Sequence, residues 1–413
     1  MKKIIMEKKC RLCRSKNIKK IFKLKPTPII ELYEKKKNDA LRHKKFSQTI
    51  ARCNSCKHVQ ILESINPNYM WSKYTYFSGQ TKGISKHFSE FAAKISKKYK
   101  LENKFIIDIG GNDGTLLKNF KNCSARLNIE PSKNVSKKCQ DKKIFVKNDY
   151  LNKNIIPSIL KKFGKAKMIF AFNVFAHTRS VDDFIKCISK LLDDNGIFIF
   201  EAQYLGDILK KFILGTFFHE HMSHHSVFSL NKIFKKNGLE LIKIEKNNIQ
   251  NGSIIGYVAK SKKYKIDKSI SQYLNKEKKE KTNTVSELRK FEKNIFIHKE
   301  KSKKLLKNKK FLLGYGSARS GVIYTENYGI PYPKIIFDDH KSKINHYAPF
   351  YCSKIVGTKK INKYSNTICV ILAYIHYKKI IKFNLNFLKK NNQFLIFFPK
   401  PTLVNLKNYK NFL

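Results

Sequence analysis

Apolar runs of strand length recur through the middle of the chain: FIIDIG from Phe105, ARLNIE from Ala125, KMIFAF from Lys167, GIFIFEA from Gly196 and SIIGYVA from Ser253. Helical patterns separate them, and that alternation predicts a doubly wound parallel sheet. Just upstream, SKHFSEFAAKISKKY sets Phe88, Phe91, Ala92 and Ile95 on one face of a helix. Residues 262–309 are dense in charge and hold neither Pro nor Gly, while Leu288, Phe291, Ile295 and Phe296 recur at helical spacing. One or two long, solvated connecting helices are expected there. A second α/β rhythm follows in FLLGYGSARSGV, KIIFDD, TICVILAY and FLIFF. The predicted class is α/β, with units at 1–68, 69–261, 262–309 and 310–413.

A chain of 413 residues exceeds what one core sustains and leaves room for two or three. Charge changes the picture less than its size implies. The 86 Lys and Arg against 30 Asp and Glu give +56, but only eight are Arg, and the lysines are scattered among Ile and Asn along the whole length. Nucleic-acid readers recruit Arg in clusters for its planar fork. No such cluster occurs, so a specific nucleic-acid partner is not expected, whereas a phosphorylated small molecule is drawn by the same field. No window reaches the roughly 18 apolar residues of a membrane span, and MKKIIMEKKC lacks the apolar core of a secretory signal. The expectation is a cytoplasmic protein without membrane contact, a monomer or weak homodimer.

Two motifs carry the strongest chemistry. Cys10-x-x-Cys13 and Cys53-x-x-Cys56 supply four thiolates from two knuckles, the tetrahedral sulfur set of structural zinc. In FIIDIGGNDGTLL, a buried strand ends at Asp108, and Gly110, Gly111 and Gly114 lead into an expected helix whose N-terminus faces a ligand. Glu130, at the end of the next strand, can accept both hydroxyls of a ribose. An acid before the glycines favours a ligand bearing an ammonium, so the pair fits S-adenosylmethionine (SAM) better than a dinucleotide, which wants Gly-x-Gly-x-x-Gly.

Of twelve histidines, His219, His221, His224 and His225 fall within FFHEHMSHHS, and His177 follows a buried strand. Either His-x-His chelates a metal, or one imidazole serves as a general base. YTYFSGQ, at 74–80, offers hydroxyls suited to a sugar or a keto oxygen. The Gly314-Tyr-Gly-Ser-Ala-Arg319 turn is a second strand-to-helix glycine turn, compatible with a ribose-phosphate.

The order of CRLC, CNSC, YTYFSG, DIGGNDGTLL, IEPS, NVFAH, FEAQYL, FHEHMS, NGSIIGYVA, GYGSARSG, IIFDD and HYAPF resembles the three-domain, zinc-containing, SAM-dependent C-methyltransferases of nucleotide-linked keto-deoxysugars. The resemblance implies a zinc-knuckle domain, a central class I Rossmann-like domain and a second Rossmann-like domain. It implies SAM contacts from Asp108, Gly110, Gly111, Asn112, Asp113, Gly114, Glu130, Pro131 and Asn173. Tyr76, His177, Glu220 and His221 would lie near the reacting carbon, with His221 as base. Phe77, Ser78, Phe218, Gly252, Tyr315 and Arg319 would contact the nucleotide sugar. Phe218 stands where the family has Tyr, removing a hydroxyl, and Arg319 stands where Lys is usual. O- or N-methylation of a related sugar, and a zinc-knuckle RNA methyltransferase, are the alternative readings.

Overall fold

The computed structural model describes residues 4–29, 32–70, 77–80, 82–139, 141–247, 252–307, 309, 311–349 and 351–413. Tyr76 lies outside the described residues. Strands β1 (Ile4–Met6), β2 (Ile18–Pro28), β3 (Lys45–Cys53), β4 (Val59–Ile61) and β5 (Glu63–Ile65) build the N-terminal unit. β2, β3 and β4 form an antiparallel sheet, and β1 pairs with β5. Two matched turns shape the cysteine knuckles. Arg14 N–H donates to Cys10 C=O at 3.0 Å and Lys57 N–H to Cys53 C=O at 2.9 Å. Both turn residues are left-handed, at φ 66° and 64°. The turns bring all four sulfurs within 4.8 Å of one another, with Cys10–Cys56 and Cys13–Cys53 Sγ pairs at 3.6 Å. A tetrahedral zinc with ~2.3 Å bonds sets sulfurs ~3.8 Å apart, so the donor set fits that ion.

Strands β6 (Phe105–Ile109), β7 (Ala125–Ile129), β8 (Ile144–Lys147), β9 (Ala166–Phe172) and β10 (Leu192–Gln203) run parallel in the central sheet. The next strand, β11 (Ser223–His224), leaves that sheet and pairs with β4. β12 (Leu239–Asn247) and β13 (Ser253–Lys260) complete the order β12-β13-β10-β9-β6-β7-β8.

The expected all-parallel sheet is corrected at this edge, because β13 runs antiparallel to both β10 and β12. The link between β12 and β13 is too short for a crossover, which leaves only a hairpin. The expected helix after the glycine loop is also absent. Leu117–Asn119 is a single tight turn, its end tied by Asn119 Nδ2 donating to Thr115 C=O at 2.8 Å. β7 begins at Ala125, too soon for a full helix.

The C-terminal sheet is β16 (Lys354–Val356), β15 (Ile335–Phe337), β14 (Leu312–Tyr315), β17 (Ile368–Ile371), β18 (Gln393–Ile396) and β19 (Thr402–Val404) in spatial order. It is parallel except for β19. Gly316, at φ +78°, turns β14 into the helix Arg319–Tyr328.

Between the two larger sheets run the helices Lys268–Lys279 and Val285–Leu305. They are less solvated than their charge implies. Leu288 and Phe291 are buried, and the Phe291 ring packs against Phe22, Phe212 and Phe217, so one apolar stripe closes a core. Each such ring contributes roughly 1.5–3 kcal/mol by burial. The carboxylate of Glu277 accepts the Val227 and Phe228 N–H groups, capping the helix Val227–Lys236 that follows β11. No helix among the described residues is long and apolar enough to cross a membrane.

Elemental analysis is expected to find about one zinc per chain. Cys53→Ala should release it and lower the melting midpoint by on the order of 10 °C, measured by calorimetry. A metal-free protein with the wild-type midpoint contradicts the zinc assignment.

Candidate active site

Strand order reverses at β6, whose neighbours β7 and β9 carry the chain away in opposite directions, so a crevice opens at their C-terminal ends. The glycine loop fills that switch point. Gly110 has φ +65°, and a Cβ there would stand 2.5 Å from Val174 Cγ2. At Gly111 a Cβ would meet Asp108 Oδ2 and Asn128 Oδ1, each at 2.6 Å. Only glycine lets the loop lie this close to its support. Asp108 thus sits beneath the loop, nine-tenths or more buried, and burial together with the Glu130 charge pushes its carboxyl well above the usual range. Glu130 accepts Asn112 N–H at 3.1 Å and Ser132 N–H at 2.8 Å. Burial raises its pKa, against which these two donors pull. Its four lone-pair sites exceed two backbone donors, so capacity remains toward a ligand.

The loop opens on a cavity of about 1620 Å³. Gly110, Asn112, Glu130, Pro131 and Asn173 line one part of it. His177, His221, Phe218, Phe77 and Ser78 line it too, and Arg319 reaches it from the C-terminal unit. The two imidazoles stand with ring centroids 5.0 Å apart. His221 Nδ1 lies 3.0 Å from Thr216 C=O, and His177 Nδ1 lies 2.8 Å from Glu220 C=O. A carbonyl only accepts, so Nδ1 of His221 carries the proton and its Nε2 the lone pair, whereas His177 is hydrogen-bonded to the backbone of both Glu220 and Asn173. Burial, reinforced by His177, His224 and Arg319, pushes the His221 pKa well below its ordinary value. Burial and Arg319 push His177 down to about 4. Both rings are neutral at pH 7. Glu220 pairs with Arg319, Oε2 to Nη1 at 2.7 Å. The Phe218 ring lies on His221, with centroids 3.8 Å apart.

Other predicted site residues stand back from the cavity. Asp113 Oδ2 accepts Gly79 N–H at 3.0 Å and Asn112 Oδ1 accepts Ser78 N–H at 3.0 Å, so this pair holds the 78–80 turn. Asp108, Gly111, Asp113 and Gly114 are not among its lining residues and act through the loop they support. Gly252 packs on Asp207, where a Cβ would meet Oδ2 at 2.5 Å, and Tyr315 packs on the C-terminal core. Neither reaches the cavity, and Glu220 lies just behind its wall. His219, His224 and His225 are buried, with His219 Nε2 on Phe46 C=O and His224 against Phe217. Among the described residues, a metal-binding cluster of three or more groups occurs at the four cysteines and not at these histidines.

Sequence reading missed Tyr150, His340 and Lys343, which also line the cavity. Only their position just past β8 or β15 marks them, since strand ends gather at the crevice.

A zinc binding domain family matches residues 10–71, a methyltransferase domain family residues 81–244, and the C-methyltransferase C-terminal domain family residues 248–399. C-methyltransferase NovU of Streptomyces niveus is 21% identical over 408 residues, covering 97% of both chains. In succession these matches run from residue 10 to residue 399, and they make the chain a SAM-dependent methyltransferase with a zinc-binding domain and a C-methyltransferase C-terminal domain. Among solved structures, magnesium protoporphyrin IX methyltransferase of Synechocystis PCC 6803 with bound SAM is 13% identical, with a TM-score of 0.34, over 47% of this chain and 89% of that one. A SAM-dependent methyltransferase of Clostridium acetobutylicum is 14% identical, with a TM-score of 0.35, over 47% of this chain and 95% of that one.

For a SAM-dependent methyltransferase, Gly110 is the constraint closest to the expected methyl donor. Gly110→Ala should weaken SAM binding at least tenfold by calorimetric titration, because it strains a positive φ and strikes Val174. Glu130→Gln should weaken it several-fold with the fold intact. Wild-type affinity in both variants would place the methyl donor elsewhere.

Proposed function

We propose that this chain methylates the carbon beside the ketone of a nucleotide-linked keto-deoxysugar. One observation supports this most: a neutral imidazole, His221, is held by its Nδ1–H so that its Nε2 is the basic atom, in the same cavity as the glycine loop. A cavity near 1620 Å³ exceeds the ~300–1,000 Å³ usual for one ligand, which suits a methyl donor and a sugar nucleotide side by side.

Gly110, Asn112, Glu130, Pro131 and Asn173 would hold SAM, with Glu130 accepting its ribose hydroxyls and Asp108 supporting the loop. When bound, SAM supplies a methyl group on a sulfonium whose positive charge drives its transfer. A carbon next to a ketone becomes nucleophilic only after losing a proton. His221 Nε2 would take that proton, and Arg319 and His177 would face the developing enolate from the surrounding wall. Phe218 adds an apolar surface where a hydroxyl would otherwise contact the sugar. On the C-terminal side, His340 and Lys343 offer N–H donors and positive charge to a diphosphate. The zinc knuckles lie outside the cavity lining, so they would act by holding the fold.

His221→Ala should lower kcat by about 10²–10⁴-fold while leaving SAM affinity within a few fold. Because a base works in its neutral form, the depressed pKa keeps activity level at neutral pH. Activity should fall only as pH drops well below the ordinary histidine value of ~6.5. With SAM omitted, the α-carbon of an α-deuterated 4-keto nucleotide sugar should exchange into solvent, followed by mass spectrometry. Methyl transfer without exchange would instead assign O- or N-methylation.

A further inference from the structure

The segment 215–221 is pressed onto the helix Arg319–Tyr328. Gly215 lies so close that a Cβ would stand 2.6 Å from Ser320 Cβ and 2.8 Å from Tyr324 Cε2. On this short segment sit Thr216 C=O, which aims His221, and Glu220 C=O, which holds His177 together with the Asn173 backbone. A charged anchor to the C-terminal unit is the 2.7 Å ion pair from the buried Glu220 carboxylate to Arg319. Arg319 stands at the first turn of its helix, and Ala318, Arg319 and Ser320 line the cavity. The guanidinium therefore belongs at once to the C-terminal wall of the cavity and to the mount of the histidine pair.

We propose that Arg319 is a positioning residue: by latching Glu220 it fixes the Thr216 and Glu220 carbonyls that orient His221 and His177, and links their alignment to the C-terminal unit. Arginine rather than lysine matters here, since a planar fork fixes direction as well as charge. The groups facing His221 are His177 from the turn Phe175–His177, His224 from β11, Arg319 from the C-terminal helix and Glu220 on its own segment. Arg319 is the fixed cation of this set, and its charge lowers both imidazoles.

This inference rests on His221 as the base, and its test has one arm that needs no sugar. In the full, zinc-loaded chain with SAM, histidine ring ¹⁵N shifts are followed against pH in wild type, Arg319→Met and Arg319→Lys. Arg319→Met should raise the His221 and His177 midpoints and blur the single Nδ1–H tautomer of His221. Arg319→Lys should restore the low midpoints while leaving the tautomer less fixed. In the kinetic arm, Arg319→Met should cut kcat by about tenfold or more and move the acid limb of its pH profile upward, with SAM affinity unchanged. Arg319→Lys should restore the acid limb but not the full kcat.

Unmoved midpoints and tautomers in folded Arg319→Met overturn the positioning role whatever the substrate is. A rise in sugar KM alone, with kcat and the acid limb unchanged, overturns it as well and leaves Arg319 as a substrate contact. If the ring shifts move as expected but no keto sugar is methylated, the substrate assignment fails while the latch stands.

Discussion

A two-residue strand holds the reactive part of this molecule together. Ser223 and His224 pair with Gln60 and Val59, and Ile61 N–H donates to Met222 C=O at 2.9 Å. These bonds fasten the histidine segment to a small sheet that has little core of its own. That sheet is closed by the cysteine knuckles, since β3 ends at Cys53 and β4 begins three residues after Cys56. Metal-bound thiolates would thus steady a strand ladder, and the ladder steadies the segment on which both imidazoles are aimed. The sulfurs lie outside the cavity lining, so the proposed chemistry would depend on them mechanically.

The second support comes from the other direction. Gly215 admits the helix Arg319–Tyr328 to close contact, and Arg319 draws Glu220 toward the C-terminal wall. Segment 215–224 is therefore gripped by the two flanking units while the central sheet presents the glycine loop across the cavity. Three sheets distant in sequence meet at one hollow. This explains why the residues that build the cavity are spread over nearly the whole chain.

Much of this was legible in the residues alone. Buried parallel strands announce themselves as continuous apolar runs, and a doubled Cys-x-x-Cys has few competing explanations, so β6, β7, β9 and β10 and the sulfur cluster were readable. β8 was not, because IFVK keeps one residue buried and three exposed, which hides an edge strand. The direction of β13 was hidden too, as SIIGYVA reads the same in either sense and only its short link to β12 decides. At the site, residue type pointed to the histidines, but spacing could not tell which would face the cavity. His221 faces it while His219 points at Phe46, two positions apart on a non-helical segment. That Asp113 meets Gly79 and Gly252 meets Asp207 was hidden, because these partners are distant in sequence.

The close, tilted contact between Phe218 and His221, with ring planes at 34°, bears on the proposed base. With one face covered by a phenyl ring and Nδ1 already protonated against a buried carbonyl, the imidazole has no second exit for a proton. In the proposed mechanism a proton captured at Nε2 would therefore leave by the way it came, through the hollow, and resetting the base would depend on water reaching that side of the ring.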